Sequence, residues 1–259
     1  MPLVRATLEN AIGTLVLDHP EKHNALGRRL IGDTIAALHD FRHQKARVVI
    51  LRAPPGVKVW SAGHDVTELP RAHRDPLGWA DPLRRLIREL EGFPAPVMAM
   101  IEGSVWGGAC EVAMACDLVV AAPSATFAIT PARLGVPYNL TGILKFMNAA
   151  SLAVVKEMVF TAQPIGAARA RELGIINHVV PPEDLERFAY DLARQITANS
   201  PLSISVMKEE LNILAGAHAL PPLVFERIEG LRRVVYDSHD YQEGISAFLE
   251  KRPPAFKGE

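Results

Sequence analysis

The chain has 259 residues, 49% of them hydrophobic and 22% charged, enough for one sizeable core or a core with an appendage. Its formal net charge is −1 and no lysine/arginine run reaches five residues, which argues against nucleic acid or a membrane surface as partner. No apolar stretch is long enough to span a bilayer, the start Met1-Pro2-Leu3-Val4-Arg5 does not read as a signal peptide, and Cys110 and Cys116 lack metal-like or redox-like spacing. Buried free thiols in a cytoplasmic protein are expected.

Residues 4–8 and 12–17 flank Glu9-Asn10-Ala11 and predict a hairpin that starts a sheet. Leu30, Ile31, Ile35, Leu38 and Phe41 recur at helical spacing and predict a helix over 26–43. A buried strand at 48–51 precedes the turn Pro54-Pro55-Gly56. Leu83, Leu86, Ile87 and Leu90 mark an amphipathic helix that Phe93-Pro94 ends, followed by a strand at 97–101, a helix at 108–115 and a strand at 118–121. Such alternation implies parallel strands joined by right-handed crossovers. After Val180 the pattern turns helical, with segments at 182–198, 201–218, 223–236 and 239–249, whose apolar faces must cover the core, a neighbouring subunit, or both.

Two of these strands run into glycine-bearing segments: Ser61-Ala62-Gly63-His64-Asp65, and Gly103-Ser104-Val105-Trp106-Gly107-Gly108-Ala109-Cys110-Glu111. The second opens into a helix whose first peptide N–H groups lack intrahelical partners. Two free N–H groups brought together from separate loops make an oxyanion hole, which stabilises charge developing on a carbonyl oxygen. Enolate or acyl chemistry is therefore expected, rather than metal or redox chemistry.

Asn24-Ala25-Leu26, the two glycine-bearing segments, Cys116-Asp117, Phe127 before Leu134-Gly135, and Phe248-Leu249-Glu250-Lys251-Arg252-Pro253 stand in one order along the chain. In that order and spacing they resemble the crotonase (enoyl-CoA hydratase/isomerase) superfamily across essentially the whole sequence. The likeness is greatest to its decarboxylating members, through residues 59–66, 102–108, 134–140, 207–211 and 236–244. The resemblance implies an α/β fold: a spiral of ββα units over 1–195 and a helical region over 196–259 that serves trimerisation and completes a CoA site. It further implies trimers or hexamers, no separate cofactor, and an acyl-CoA thioester substrate.

Hydratases of this superfamily pair two glutamates. Glu111 fills the first position here, but Pro131 stands at the second, so paired-carboxylate water activation lacks a member. Tyr138 occupies a position where the hydratase pattern has Pro or Gly. By resemblance, the N–H groups of His64 and Gly108 hold the thioester oxygen during cofactor-independent decarboxylation of methylmalonyl-CoA to propionyl-CoA. Tyr138 then anchors the departing carboxylate among Val136, Pro137 and Leu140. Lys22, the backbone of Ala62, Gly63, His64, Asp65 and Val66, Thr130 and Lys251 are expected on the CoA moiety, and Trp106 in the pocket wall. Glu111 lies near a helix start, where capping the N-terminal dipole competes with catalysis and is the favoured reading. Asp65 and Glu68 are expected to cap or solvate their turn. The competing functions are a hydratase, isomerase or hydrolase of another acyl-CoA, and a non-catalytic CoA-ester or RNA-binding scaffold.

Overall fold

A computed structural model describes residues 2–69, 78, 80–217 and 221–258. Strands β1 (Val4–Glu9) and β2 (Ile12–Leu17) form the antiparallel hairpin, with Asn10 and Ala11 at φ of 50° and 63° in its turn. Helix α1 (Arg28–His43) buries the predicted stripe of Leu30, Ile31, Ile35, Leu38 and Phe41. It begins at Arg28 rather than Leu26 because Leu26 is held in an isolated parallel bridge with His64, its N–H donating to the Gly63 carbonyl at 2.7 Å.

One unit then recurs: β3 (Val48–Arg52), β4 (Val59–Ser61), α2 (Pro82–Glu91); β5 (Val97–Ile101), β6 (Ser104–Trp106), α3 (Gly108–Ala115); and β7 (Leu118–Ala121), β8 (Thr126–Ala128), α4 (Leu140–Ala149). Next come α5 (Leu152–Thr161), β9 (Ile165–Gly166), α6 (Ala167–Glu172), β10 (His178–Val179) and α7 (Pro182–Thr197). The first strand of each unit lies in a six-stranded sheet of order β1-β2-β3-β5-β7-β10, and the second in a four-stranded sheet of order β4-β6-β8-β9. Neighbouring turns pair in parallel in both sheets, which is the expected ββα spiral. Both β3 and β5 are buried at every position, as strands covered on two faces must be.

Helix α7 closes the far face of the larger sheet with Leu185, Ala189 and Ala193, packed against Ile12, Val48, Ile50 and Met98. It runs to Thr197, so the boundary expected at 195 falls in its last turn. Three further helices follow: α8 (Pro201–Ala215), α9 (Pro222–Tyr236) and α10 (His239–Leu249). The sequence pattern carries the first to His218; the helix ends at Ala215, with Gly216 as its C-cap residue, and His218 lies outside the described residues. Buried Lys208 docks α8 on the core, its ammonium donating to the carbonyls of Leu90 and Ala95 and pairing with Asp117 at 2.7 Å. Many apolar residues of α8 and α9, among them Leu202, Leu211, Leu214, Leu223, Leu231 and Val234, face outward.

Candidate active site

The spiral brings the two glycine-bearing segments together at the ends of β4 and β6. In the bridge to Leu26, the groups used are the Gly63 carbonyl and the Asp65 N–H. The N–H of His64, between them, therefore points away from Leu26, toward the start of α3. A Cβ built on Gly63 would lie 2.3 Å from the Trp106 carbonyl oxygen and 3.1 Å from the Gly108 nitrogen, and one built on Gly108 would lie 3.5 Å from the His64 nitrogen. Only glycine permits so close an approach, and Gly63 also adopts φ of 83°. At α3, Gly107 is the N-cap residue and makes no side-chain bond, so the Gly108 N–H is one of the helix's unpaired donors. The two N–H groups thus lie side by side on one edge of a cavity of about 830 Å³.

Asp65 fixes this loop. Its carboxylate accepts from the Thr67 N–H at 3.0 Å and the Thr67 hydroxyl at 2.6 Å, and pairs with Lys22 at 2.7 Å. Burial alone would raise the Asp65 pKa, but the bonds from Lys22 and Thr67 hold it below the usual carboxylate value. Glu68 accepts from the Arg28 N–H at 2.9 Å and ties the same turn to α1. The turn-capping role expected of Asp65 is the one observed.

The adjoining wall carries Tyr138, buried beside Phe146 with the ring centroids 6.4 Å apart. The phenol hydroxyl lies 3.4 Å from the Gly107 carbonyl oxygen, immediately before the Gly108 N–H. Burial, followed by the nearness of Glu111, pushes its pKa well above the usual phenol value. Pro131 begins a short 3₁₀ turn, Pro131–Leu134, on the same cavity, so no carboxylate enters from that position.

Glu111 departs from the reading made of it. The helix that carries it is buried on nearly every face, with Ala109, Cys110, Val112 and Ala113 all inaccessible, and its first turn receives no side-chain cap bond. Glu111 is itself fully buried, and it turns away to α4. There its Oε2 accepts from the Asn139 amide and its Oε1 lies 3.0 Å from the Thr141 hydroxyl. Burial raises its pKa, against the pull of those two bonds.

Three residues that sequence reasoning missed hold this wall. Asn139 caps α4, accepting from the Gly142 N–H at 2.7 Å. Gly142 leaves room for its neighbours: a Cβ there would sit 2.7 Å from the Tyr138 ring and 3.2 Å from the Glu111 carboxyl carbon. Arg232, buried on α9, donates to the Tyr138 carbonyl at 2.8 Å and to the Tyr236 hydroxyl at 2.9 Å. The Asn139-Leu140-Thr141 start of α4 has the form of a helix cap in the sequence, but nothing local shows that it faces Glu111.

Lys22, Ala62, His64, Asp65, Val66, Trp106, Gly108, Glu111, Thr130, Tyr138 and Lys251 all line the one cavity. Gly63 stands just behind it, against Trp106 and Gly108. Trp106 takes the wall position expected of it, its indole N–H donating to Ser104 at 2.7 Å. Phe248 and Lys251, at the end of α10, bring the helical region to the cavity mouth. The thiols of Cys110 and Cys116 are free and buried, which pushes both up to about 12. Among the described residues no helix is long and apolar enough to cross a membrane.

Residues 7–259 match the pattern of the family described as enoyl-CoA hydratase/isomerase. The sequence is 51% identical to methylmalonyl-CoA decarboxylase of Escherichia coli (strain K12) over 96% of this chain and 95% of that one. Among solved structures, a methylmalonyl-CoA decarboxylase in complex with 2-nitronate-propionyl-CoA superposes with a TM-score of 0.97 at 50% identity, covering 99% of each chain. Another, complexed with 2S-carboxypropyl CoA, gives 0.98 at 49% identity over 100% of this chain and 99% of that one.

Proposed function

The chain belongs to the enoyl-CoA hydratase/isomerase family, and from that premise we propose that it decarboxylates methylmalonyl-CoA to propionyl-CoA and CO₂. The observation that carries this reading is the composition of the cavity beside the paired N–H groups: a proline stands where a hydratase needs its second carboxylate, and a buried phenol lines the same cavity. The likeness to methylmalonyl-CoA decarboxylase along nearly the whole chain supports the same reaction.

The substrate is already ionised, so no base is required. The thioester oxygen sits between the N–H groups of His64 and Gly108, which stabilise it as the C–CO₂⁻ bond breaks and its electron pair enters the carbonyl. Losing one such donor costs about 2.7–4 kcal/mol of barrier. Tyr138 holds the carboxylate out of the thioester plane, so that the breaking bond overlaps the carbonyl π system. No electron-sink cofactor is needed, because the thioester is its own sink. Lys22, Thr130 and Lys251 take the CoA portion, Lys251 as a mobile point charge for its phosphates and Lys22 from its pair with Asp65.

The outward apolar residues of α8 and α9 support assembly into homotrimers or paired trimers, and two buried free thiols suit a reducing, cytoplasmic setting. The first test is to incubate the protein with methylmalonyl-CoA and follow propionyl-CoA and CO₂, with Tyr138→Phe and crotonyl-CoA hydration alongside. Propionyl-CoA from the wild type, about 10²-fold slower from the variant and without hydration, is the expected result. Free methylmalonate or hydrated crotonyl-CoA would reject decarboxylation.

A further inference from the structure

Helix α10 is seated on the cavity wall by backbone contact. A Cβ on Gly244 would lie 2.2 Å from the Leu134 carbonyl oxygen, and one on Gly135 would lie 2.4 Å from that of Asp240. The helix therefore rests directly on the 3₁₀ turn that lines the cavity. Its C-terminus closes with two bonds, from the Lys251 N–H to the Phe248 carbonyl at 3.2 Å and from the Arg252 N–H to the Ala247 carbonyl at 3.0 Å. That pattern needs a left-handed residue just past the helix, where glycine is the usual choice. A lysine stands there instead, Lys251 at φ of 55°, in a conformation that is unfavourable for any residue with a Cβ.

The chain beyond Lys251 is fastened back onto the helix. The Arg252 guanidinium grips Glu243 through two bonds of 2.6 and 2.8 Å, and its Nε donates to Glu250 at 2.6 Å. Glu243 also accepts from the Ala255 N–H at 2.8 Å, and Asp240 accepts from the N–H groups of Lys257 and Gly258 at 2.7 and 2.8 Å. The bonds from Arg252 hold the Glu243 carboxyl down at about 2, so the clamp stays ionised at neutral pH. Lys251 itself makes no ion pair among the described residues, whereas Lys22, the other lysine on the cavity, is paired with Asp65 at 2.7 Å.

We propose that Glu243 and Arg252 are positioning residues: their clamp holds the left-handed turn at Lys251 and so presents its ammonium to the phosphates of a CoA thioester. The role rests on the acyl-CoA reading of the cavity. A lysine on its four-carbon stem sweeps a wide volume, and fixing the backbone beneath it keeps the charge at the cavity mouth. Such preorganisation acts before any bond of the substrate breaks. It is read in the dissociation constant and in KM, not in kcat.

Binding of propionyl-CoA to the full chain, measured beside propionyl-pantetheine, which has no phosphate, tests this. By charge alone Glu243→Gln would tighten an anion, because it removes a negative charge. The clamp predicts the reverse: propionyl-CoA binds about threefold more weakly, the scale of an exposed ion pair, while propionyl-pantetheine and kcat do not move. Arg252→Lys keeps the charge and loses the fork, so the same weakening is expected, and it replaces Glu243→Gln if that variant does not fold. Lys251→Gly separates stability from affinity. Freed of the left-handed strain it melts about 2 °C higher, yet it binds propionyl-CoA about fivefold more weakly. In that background Glu243→Gln has no weakening left to add. Unchanged or tighter propionyl-CoA in the clamp variants, equal weakening of propionyl-pantetheine, or weakening that persists without Lys251 would overturn the clamp. A wild type that binds propionyl-CoA but releases no CO₂ from methylmalonyl-CoA would end the decarboxylation reading, while the binding series still decides the clamp. A wild type that binds no CoA ester would end both.

Discussion

The wall that holds His64 and Gly108 is made of backbone, whereas the wall that holds Tyr138 and Glu111 is made of side chains. The first is set by exclusion: Gly63 and Gly108 approach because neither has a Cβ, and a parallel bridge to Leu26 turns the His64 N–H outward. The second is set by a chain of bonds that crosses the molecule, from α3 through the cap of α4 to Arg232 on α9. A backbone wall tolerates side-chain changes and fails when an N–H or a gap is removed. A side-chain wall fails by degrees, since each partner supports only the next.

Gly108→Pro breaks the first wall outright. It deletes the N–H without altering any charge in the cavity. A kcat loss of 10²–10³ is expected, the measured scale for one oxyanion donor. The added ring also meets Leu83, whose methyl would lie 2.7 Å from a Cβ at this position, so the melting temperature must be recorded with the rate. A folded variant that keeps a tenth of the activity would show that this N–H does not carry the thioester oxygen.

Arg232→Met probes the second wall from its far end, with a smaller effect. Arg232 touches the Tyr138 backbone, not its phenol, so its loss loosens the anchor without removing it. It also removes the buried bonds that Arg232 gives to the Tyr138 carbonyl and the Tyr236 hydroxyl, at about 1–3 kcal/mol in all. About tenfold lower kcat with an unchanged KM is expected, together with a lower melting temperature. A kcat that does not move would mean that α4 alone positions Tyr138.

The same division decides what the sequence makes legible. The repeated units and the two glycine-bearing segments are local patterns, and strand, glycine and helix stand next to one another in the chain. Their meeting follows from parallel strands in register. The side-chain wall joins positions far apart: Asn139 meets Glu111 across 28 residues and Arg232 meets Tyr138 across 94. No periodicity encodes such pairs. Glu111 follows the same rule: its first-turn position fits a cap, but its two oxygens bond Asn139 and Thr141 of a different helix. Between residues 122 and 180 the strands β8, β9 and β10 are two or three residues long, too short to announce themselves by alternation, although α4 and α5 there run ten residues each.

His64→Ala gives the smallest effect and sharpens the contrast most, because it strips the side chain from a residue whose backbone is required. The imidazole reaches the Asp81 carboxylate at 3.4 Å and its other nitrogen lies 3.2 Å from the Asp65 carbonyl oxygen. Asp81 caps α2 with its other oxygen, which accepts from the N–H groups of Leu83 and Arg84 at 2.8 and 3.3 Å, so the cap survives the change. Activity within about tenfold of wild type and a stability loss of about 1 kcal/mol are expected. Burial, the largest single influence, pulls the His64 pKa down. The bond and charge of Asp81, the Asp65 carbonyl and the charge of Glu68 together outweigh it and raise the pKa above the usual imidazole value. A raised histidine pKa adds stability that is complete below the unfolded value and fades as the pH climbs through the folded one. Thermal unfolding followed from about pH 6 upward should therefore show a decline in the wild type that His64→Ala flattens. Matching pH curves would place the His64 charge outside the balance of the fold, and an activity loss as deep as that of Gly108→Pro would move its role from backbone to imidazole.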